Sequence, residues 1–147
     1  MRRSVSALAV VIATTVALSG CTLLAPTRNA DGTIVKALTM PSTEAWVGDC
    51  FSFVHDSNLS LATVVPCADA HSHVVIGKGT LSTTKIGLFE SLQIAVISSC
   101  QSVFDSWSQE RETDPQPEYI VSKEDKPGGE VTNYSCLATD GTVAAAP

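Results

Sequence analysis

Gly48-Asp49-Cys50-Phe51 opens, and Val64-Val65-Pro66-Cys67-Ala68-Asp69-Ala70-His71 closes, the stretch on which the reading of this chain turns. Between the two cysteines lie an apolar run, the turn cluster His55-Asp56-Ser57-Asn58, and a run rich in β-branched residues that Pro66 ends. Runs of that composition bounded by turn residues read as strands. The pattern predicts a hairpin, with strands over 45–54 and 59–67 and with Trp46, Cys50 and Val54 on one face of the first. A bridge from Cys50 to Cys67 would close a loop of roughly 17 residues, worth about 3 kcal/mol in the chain-entropy account.

Downstream, Ala68-Asp69-Ala70-His71 turns the chain into a third strand over 72–77, which Gly77-Lys78-Gly79 is expected to break. Over 88–109 the period changes: Leu88, Leu92, Val96, Cys100, Val103 and Trp107 recur at three- and four-residue steps, the stripe of an amphipathic helix. Gly87 is the expected N-cap, and Glu90 lies near the positive end of the helix dipole. Residues 110–116 read as a loop, Tyr119-Ile120-Val121 as a short strand, 123–129 as a charged turn, and 131–138 as a closing strand carrying Cys136. Bridging Cys136 to Cys100 would pin helix to sheet across roughly 36 residues, worth about 4 kcal/mol. The fold class expected is α+β: a small antiparallel sheet with one amphipathic helix packed on a face, stapled by two disulfides. With four Phe, two Trp and two Tyr the core is small, so the staples matter.

Upstream, the basic start Met1-Arg2-Arg3, the apolar run from Ala7 to Leu18 and the small residues before Cys21 have the order of a secretory signal. The run is too short to span a bilayer. Leu18-Ser19-Gly20-Cys21 resembles the lipobox of bacterial lipoproteins, which implies cleavage before Cys21 and a diacylglyceryl thioether on its sulfur. Several acyl chains, at about 0.8 kcal/mol per buried methylene, anchor a protein stably. The expected organisation is a signal over 1–20, a flexible tether over 21–44, a domain over 45–138 and a frayed tail over 139–147. Ile34 to Leu38 offers a short strand as the alternative within the tether. The expected location is the extracytoplasmic face of the cell membrane, reached through the lipid on Cys21. There an even set of cysteines is a disulfide framework before it is a metal site. Nine Lys and Arg stand against 15 Asp and Glu. Removing Arg2 and Arg3 leaves 7 against 15, a charge of −8, which disfavours nucleic acid as a partner.

Gly48-Asp49-Cys50-Phe51, then Val65-Pro66-Cys67 with His71, then Cys100 with Phe104, then Tyr134 with Cys136, together resemble the septum-formation domain of exported and membrane-anchored actinobacterial proteins. The resemblance covers about residues 45 to 138. It implies an association with division and no catalytic mechanism. The chain departs from the family pattern at His73, where a Glu is common. It departs again at Gly128-Gly129-Glu130-Val131, where a Trp and a Gly-Asp-Arg group are usual.

Three chemistries compete with a binding role. Cys67, His71 and His73, with Cys50 or another cysteine as the fourth ligand, would make a zinc set, but the spacing is not that of paired short zinc motifs. A Cys–His nucleophile needs a free thiolate, and each cysteine of the domain has a disulfide partner available. Asp49 with Asp69 would serve glycan cleavage if the two carboxyls faced each other across a cleft. The expectation is a non-catalytic, lipid-anchored envelope protein with a binding or scaffolding role in septum formation, without cofactor or metal. Its partners are envelope or division proteins or a cell-wall polymer, and a small extracytoplasmic cell-wall hydrolase is the alternative. The candidate binding surface is Trp46, Asp49 and His71; Trp107 is assigned to the core.

Overall fold

The computed structural model describes residues 28–55, 58–109, 111, 114–127 and 129–139. The signal, Cys21 and residues 140–147 lie outside the described residues. Six strands form one sheet: β1 (Leu38–Pro41), β2 (Cys50–His55), β3 (Asn58–Val65), β4 (His73–Ser82), β5 (Pro117–Lys126) and β6 (Gly129–Thr139). Their order is β1-β3-β2-β4-β6-β5, and every pairing is antiparallel. A 3-10 turn, Ser42–Glu44, follows β1, and the helices α1 (Thr83–Ile86) and α2 (Leu92–Ser108) separate β4 from β5.

Alternation along the strands divides the buried side chains into two clusters. Cys50, Val74, Ile76, Leu81, Cys136 and Ala138 join Ala95, Val96 and Cys100 of α2. Phe51, Ala62, Val64, Val75, Ile120 and Leu137 join Ile34 and Ala45. Neighbours such as Cys50 and Phe51, or Leu137 and Ala138, thus point to opposite sides of one sheet. The sheet is also curled. Five steps of about 4.8 Å would hold β1 and β5 about 24 Å apart in a flat sheet; instead β5 touches the 3-10 turn that follows β1. Phe51, Val64 and Ile120 therefore meet in one cluster although their strands are not all adjacent.

Both disulfides form between the expected partners. Cys50–Cys67 ties the start of β2 to the segment after β3, and Cys100–Cys136 ties α2 to β6. The hairpin of β2 and β3 is present, but its first strand begins at Cys50, so Trp46 lies outside it.

Four other expectations are corrected. Residues 28–44 belong to the domain and are not tether: β1 pairs with β3, Arg28 bridges Ile34, and Ile34 is buried with the core. Apolar Ile34 and Met40 outweigh the polar composition around them, because the curled sheet offers them a place to be buried. Second, β4 runs through Gly77-Lys78-Gly79. A Cβ at Gly77 would sit 3.1 Å from Val103 of α2, and one at Gly79 would overlap the Tyr134 hydroxyl. These glycines permit close approach and do not end the strand. Third, α2 starts at Leu92, capped by Ser91, whose Oγ accepts from the Ile94 amide at 3.2 Å. Gly87 has no side-chain oxygen to offer, and it closes α1 instead. Leu88, 80% exposed, is not part of the stripe. Finally, β5 and β6 are longer than expected, pairing from Pro117 with Ala138 to Lys126 with Gly129. Thr139 is held rather than frayed, its amide donating to the Gln116 carbonyl at 3.0 Å.

Replacing Cys100 and Cys136 together by Ala is expected to cost about 4 kcal/mol, and Cys50 with Cys67 about 3 kcal/mol, in urea unfolding. Losses below about 1 kcal/mol for both pairs would refute the stapled-core account. A chain begun at Ala45 is expected to unfold at lower urea than one retaining residues 28–44, since it uncovers Ala62 and Val64.

Candidate functional site

The site is built on two turns that meet. In the first, Asp31 Oδ1 accepts from the Thr33 amide at 3.0 Å and the Thr33 hydroxyl at 2.8 Å, which holds the Asp31 carboxyl below its ordinary range. Gly32 takes φ of 89° in that turn, a conformation suited to glycine. Its carbonyl accepts from Arg28 Nη1 at 2.7 Å. In the second turn, Gly48 has φ of 93° and its amide donates to the Val75 carbonyl at 2.8 Å, fastening the turn to β4.

Arg28 joins them. Its Nη1 and Nη2 each donate to one oxygen of Asp49, both at 2.7 Å, the paired geometry that a guanidinium offers a carboxylate. The two side chains are 9% and 4% exposed. Hydrogen bonding to Asp49 raises the Arg28 pKa above its ordinary value against the opposing effect of burial. Asp49 Oδ2 also accepts from the Trp46 amide at 2.6 Å, and the guanidinium carbon lies 4.0 Å from the Trp46 ring centroid. The indole is thus clamped through both its backbone and its ring while 56% exposed.

Beside it lies a cleft of about 430 Å³, walled by Ile34, Trp46, Val47, Val65, Pro66 and Ala68, with the Cys50–Cys67 bridge in its side. Val47 is 58% exposed at the rim. A rigid aromatic over an apolar cleft is equipped to receive an apolar side chain.

Of the three residues expected on a binding surface, Trp46 is exposed and the other two are not. Asp49 is buried, with its carboxylate engaged by Arg28 and Trp46, so it neither faces a partner nor pairs with Asp69 as a catalytic acid. His71 is buried, and its Nδ1 donates to the Asp69 carbonyl at 2.8 Å, steadying the turn after Cys67. The cysteine sulfurs bond each other, which leaves no thiolate among the four for zinc or for nucleophilic attack. Trp107 packs against the helix-side cluster with Arg111 over its ring at 4.4 Å.

Sequence reasoning missed Arg28, set aside with the tether, and Val47. It also missed a chain of polar groups at the start of β4. Ser72 Oγ lies 2.7 Å from His73 Nδ1, and His73 Nε2 lies 3.1 Å from Glu118 Oε2. The imidazole stacks on Phe51 at 5.4 Å and meets Phe53 edge-on. Ser72 and His73 do not line the cleft beside Trp46.

No family model, curated protein or solved structure matches this chain.

Asp49→Ala leaves Arg28 without its carboxylate beneath a surface indole, and is expected to cost about 2 kcal/mol of stability. Trp46 fluorescence should become more quenchable by iodide in that variant. Unchanged quenching would mean that the clamp does not hold the ring.

Proposed function

We propose that this chain is a non-catalytic, lipid-anchored protein of the extracytoplasmic envelope, with a binding or scaffolding role in septum formation. The observation that carries the binding reading is Trp46, exposed yet clamped by Arg28 and Asp49 beside an apolar cleft. Interfaces draw most of their affinity from such preorganised aromatic anchors, because little side-chain entropy remains to be lost. Two disulfides fit an oxidising compartment, and among the described residues no helix is long and apolar enough to cross a membrane. In this reading α2 lies across the β4–β6 face and, with its disulfide, stiffens the platform behind the cleft.

The inclusion of residues 28–44 in the domain shortens the tether. With the lipid on Cys21, seven residues reach at most about 25 Å to Arg28. The cleft then stays near the bilayer, and the partner it suits is a juxtamembrane segment of an envelope or division protein.

The hydrolase alternative has one observation in its favour, the Ser72–His73–Glu118 chain, which joins a hydroxyl, an imidazole and a carboxylate. If it were catalytic, Ser72→Ala would abolish release of soluble fragments from peptidoglycan with the fold intact.

Intact mass of the native protein is expected to show cleavage before Cys21 and an added diacylglyceryl group, and Cys21→Ala should lose membrane association. Crosslinking in intact cells should capture an envelope protein that Trp46→Ala no longer captures at unchanged thermal stability. Equal capture by Trp46→Ala would remove the cleft from the proposal.

A further inference from the structure

A second surface lies on the inner face of the curl, apart from Trp46. Directly opposed residues of an antiparallel pair point to the same side. Lys78, Ser135 and Ile120 are opposed across β4, β6 and β5, and Thr80, Asn133 and Ser122 form the next row. These six line a cleft of about 440 Å³ that Thr43 closes from the 3-10 turn. A neighbouring cleft of about 560 Å³ shares Thr43, Ile120 and Ser122, so the trough continues past the turn toward Pro41 and Ser60.

Hydroxyls and one amide stand around Lys78 in the lining, with Ile120 and Tyr134 among them. Ser135 is 2% exposed as a residue and lines the cleft, and its hydroxyl makes no hydrogen bond among the described residues. A hydroxyl that lines a cleft and has no intramolecular partner can donate to and accept from a ligand. The hydroxyls of Thr43, Thr80 and Ser122 are likewise unpaired among the described residues. Asn133 spends its amide on Glu124 at 3.1 Å and keeps its carbonyl oxygen. Lys78 Nζ donates to the carbonyls of Thr43 at 2.7 Å and Ala45 at 2.8 Å, which fixes the ammonium at the head of the trough with one N–H to spare.

We propose that this trough binds an oligosaccharide bearing a carboxylate. The ring hydroxyls meet Ser135, Ser122, Thr80 and Thr43, and the carboxylate meets Lys78. Strands about 4.8 Å apart and rows about 6.8 Å apart set these polar groups at spacings comparable with the span across a pyranose ring. A single cation within an acidic protein suits one carboxylate and does not suit a polyphosphate chain. Apart from Thr43, the trough's polar groups come from strand residues, so the ligand is met by a preformed surface. The proposal is independent of the Trp46 cleft; it uses the envelope reading only to choose the probe.

The test is amide-shift titration of the mature chain from residue 21, oxidised and carrying Cys21→Ser. The acidic probe is a tetrasaccharide of alternating N-acetylglucosamine and N-acetylmuramic acid, and the neutral one is tetra-N-acetylchitotetraose. Shifts are expected at Thr80, Ser122 and Ser135 with the acidic probe, with at least tenfold weaker binding of the neutral one. Ser135→Ala, which removes the hydroxyl and adds no bulk, should weaken binding about tenfold with dispersed, native-like spectra. Lys78→Met should erase the preference for the acidic probe. Because Lys78 also holds two carbonyls, Ser122→Ala with Ser135→Ala supplies a variant that leaves that anchor alone. Absence of shifts at 10 mM of either probe would overturn the proposal. So would shifts confined to Trp46 and Val47, or an unaltered affinity of the Ser122→Ala/Ser135→Ala variant.

Discussion

Strand β6 is buried on both faces, and the fold hangs on that constraint. Ser135, Cys136, Leu137 and Ala138 are 2%, 1%, 1% and 0% exposed in succession. Cys136 and Ala138 meet the α2 residues, while Leu137 meets Phe51 and Val75. A slip of one residue in pairing would exchange the two sets and break the bridge to Cys100, so the disulfide fixes register as well as stability. β4 must match β6 on both sides. It does so with an irregularity between Val75 and Gly77 that returns the alternation to phase, and with two glycines that admit Val103 and Tyr134.

That double burial explains what was legible. Cysteines flanked by apolar residues marked the bridges, because each half-cystine lies in a strand, a helix or the turn after one. The 3.6-residue stripe marked α2, because Val96, Cys100, Val103 and Trp107 do share a side. The extents of β4 and β5 were not legible. Glycine reads as a breaker when the reason for it is a neighbour elsewhere in the chain, and Lys123 to Lys126 reads as a turn when the charges merely face solvent. Helix capping was misplaced by four residues, since a serine oxygen and a bare glycine compete for the same role until the chain path is known.

The site was legible in part. Trp46 stood out for its position at the entry of the first strand; the strand starts only at Cys50, which leaves the indole on a turn and exposed. Arg28 gave no signal at all: it lies 21 residues from Asp49, in a polar turn with no periodicity. The acid that looked like a candidate catalyst proves to be its counter-ion. A carboxylate beside a cysteine and a glycine turn can be catalytic or architectural, and only the partner decides which. Here a permanently charged guanidinium takes both oxygens, and the indole above excludes water from the pair.

One short segment serves both surfaces. The carbonyls of Thr43 and Ala45 hold the Lys78 ammonium at the trough, and the next residue is Trp46 at the cleft. Burial lowers the Lys78 pKa below its ordinary value even though Asp49 and Glu44 pull it upward. A depressed lysine binds fewer protons folded than unfolded, so it weakens the fold below its folded pKa, and the penalty is relieved as pH rises toward the ordinary lysine value. The fold tolerates this because the ammonium closes the end of the 3-10 turn, whose last carbonyls would otherwise lack donors. The residue that heads the polar trough is therefore also a brace for the aromatic clamp. A loss of binding in Lys78 variants has two physical causes, whereas a loss in Ser135 variants has one, and this asymmetry follows directly from where the two side chains end.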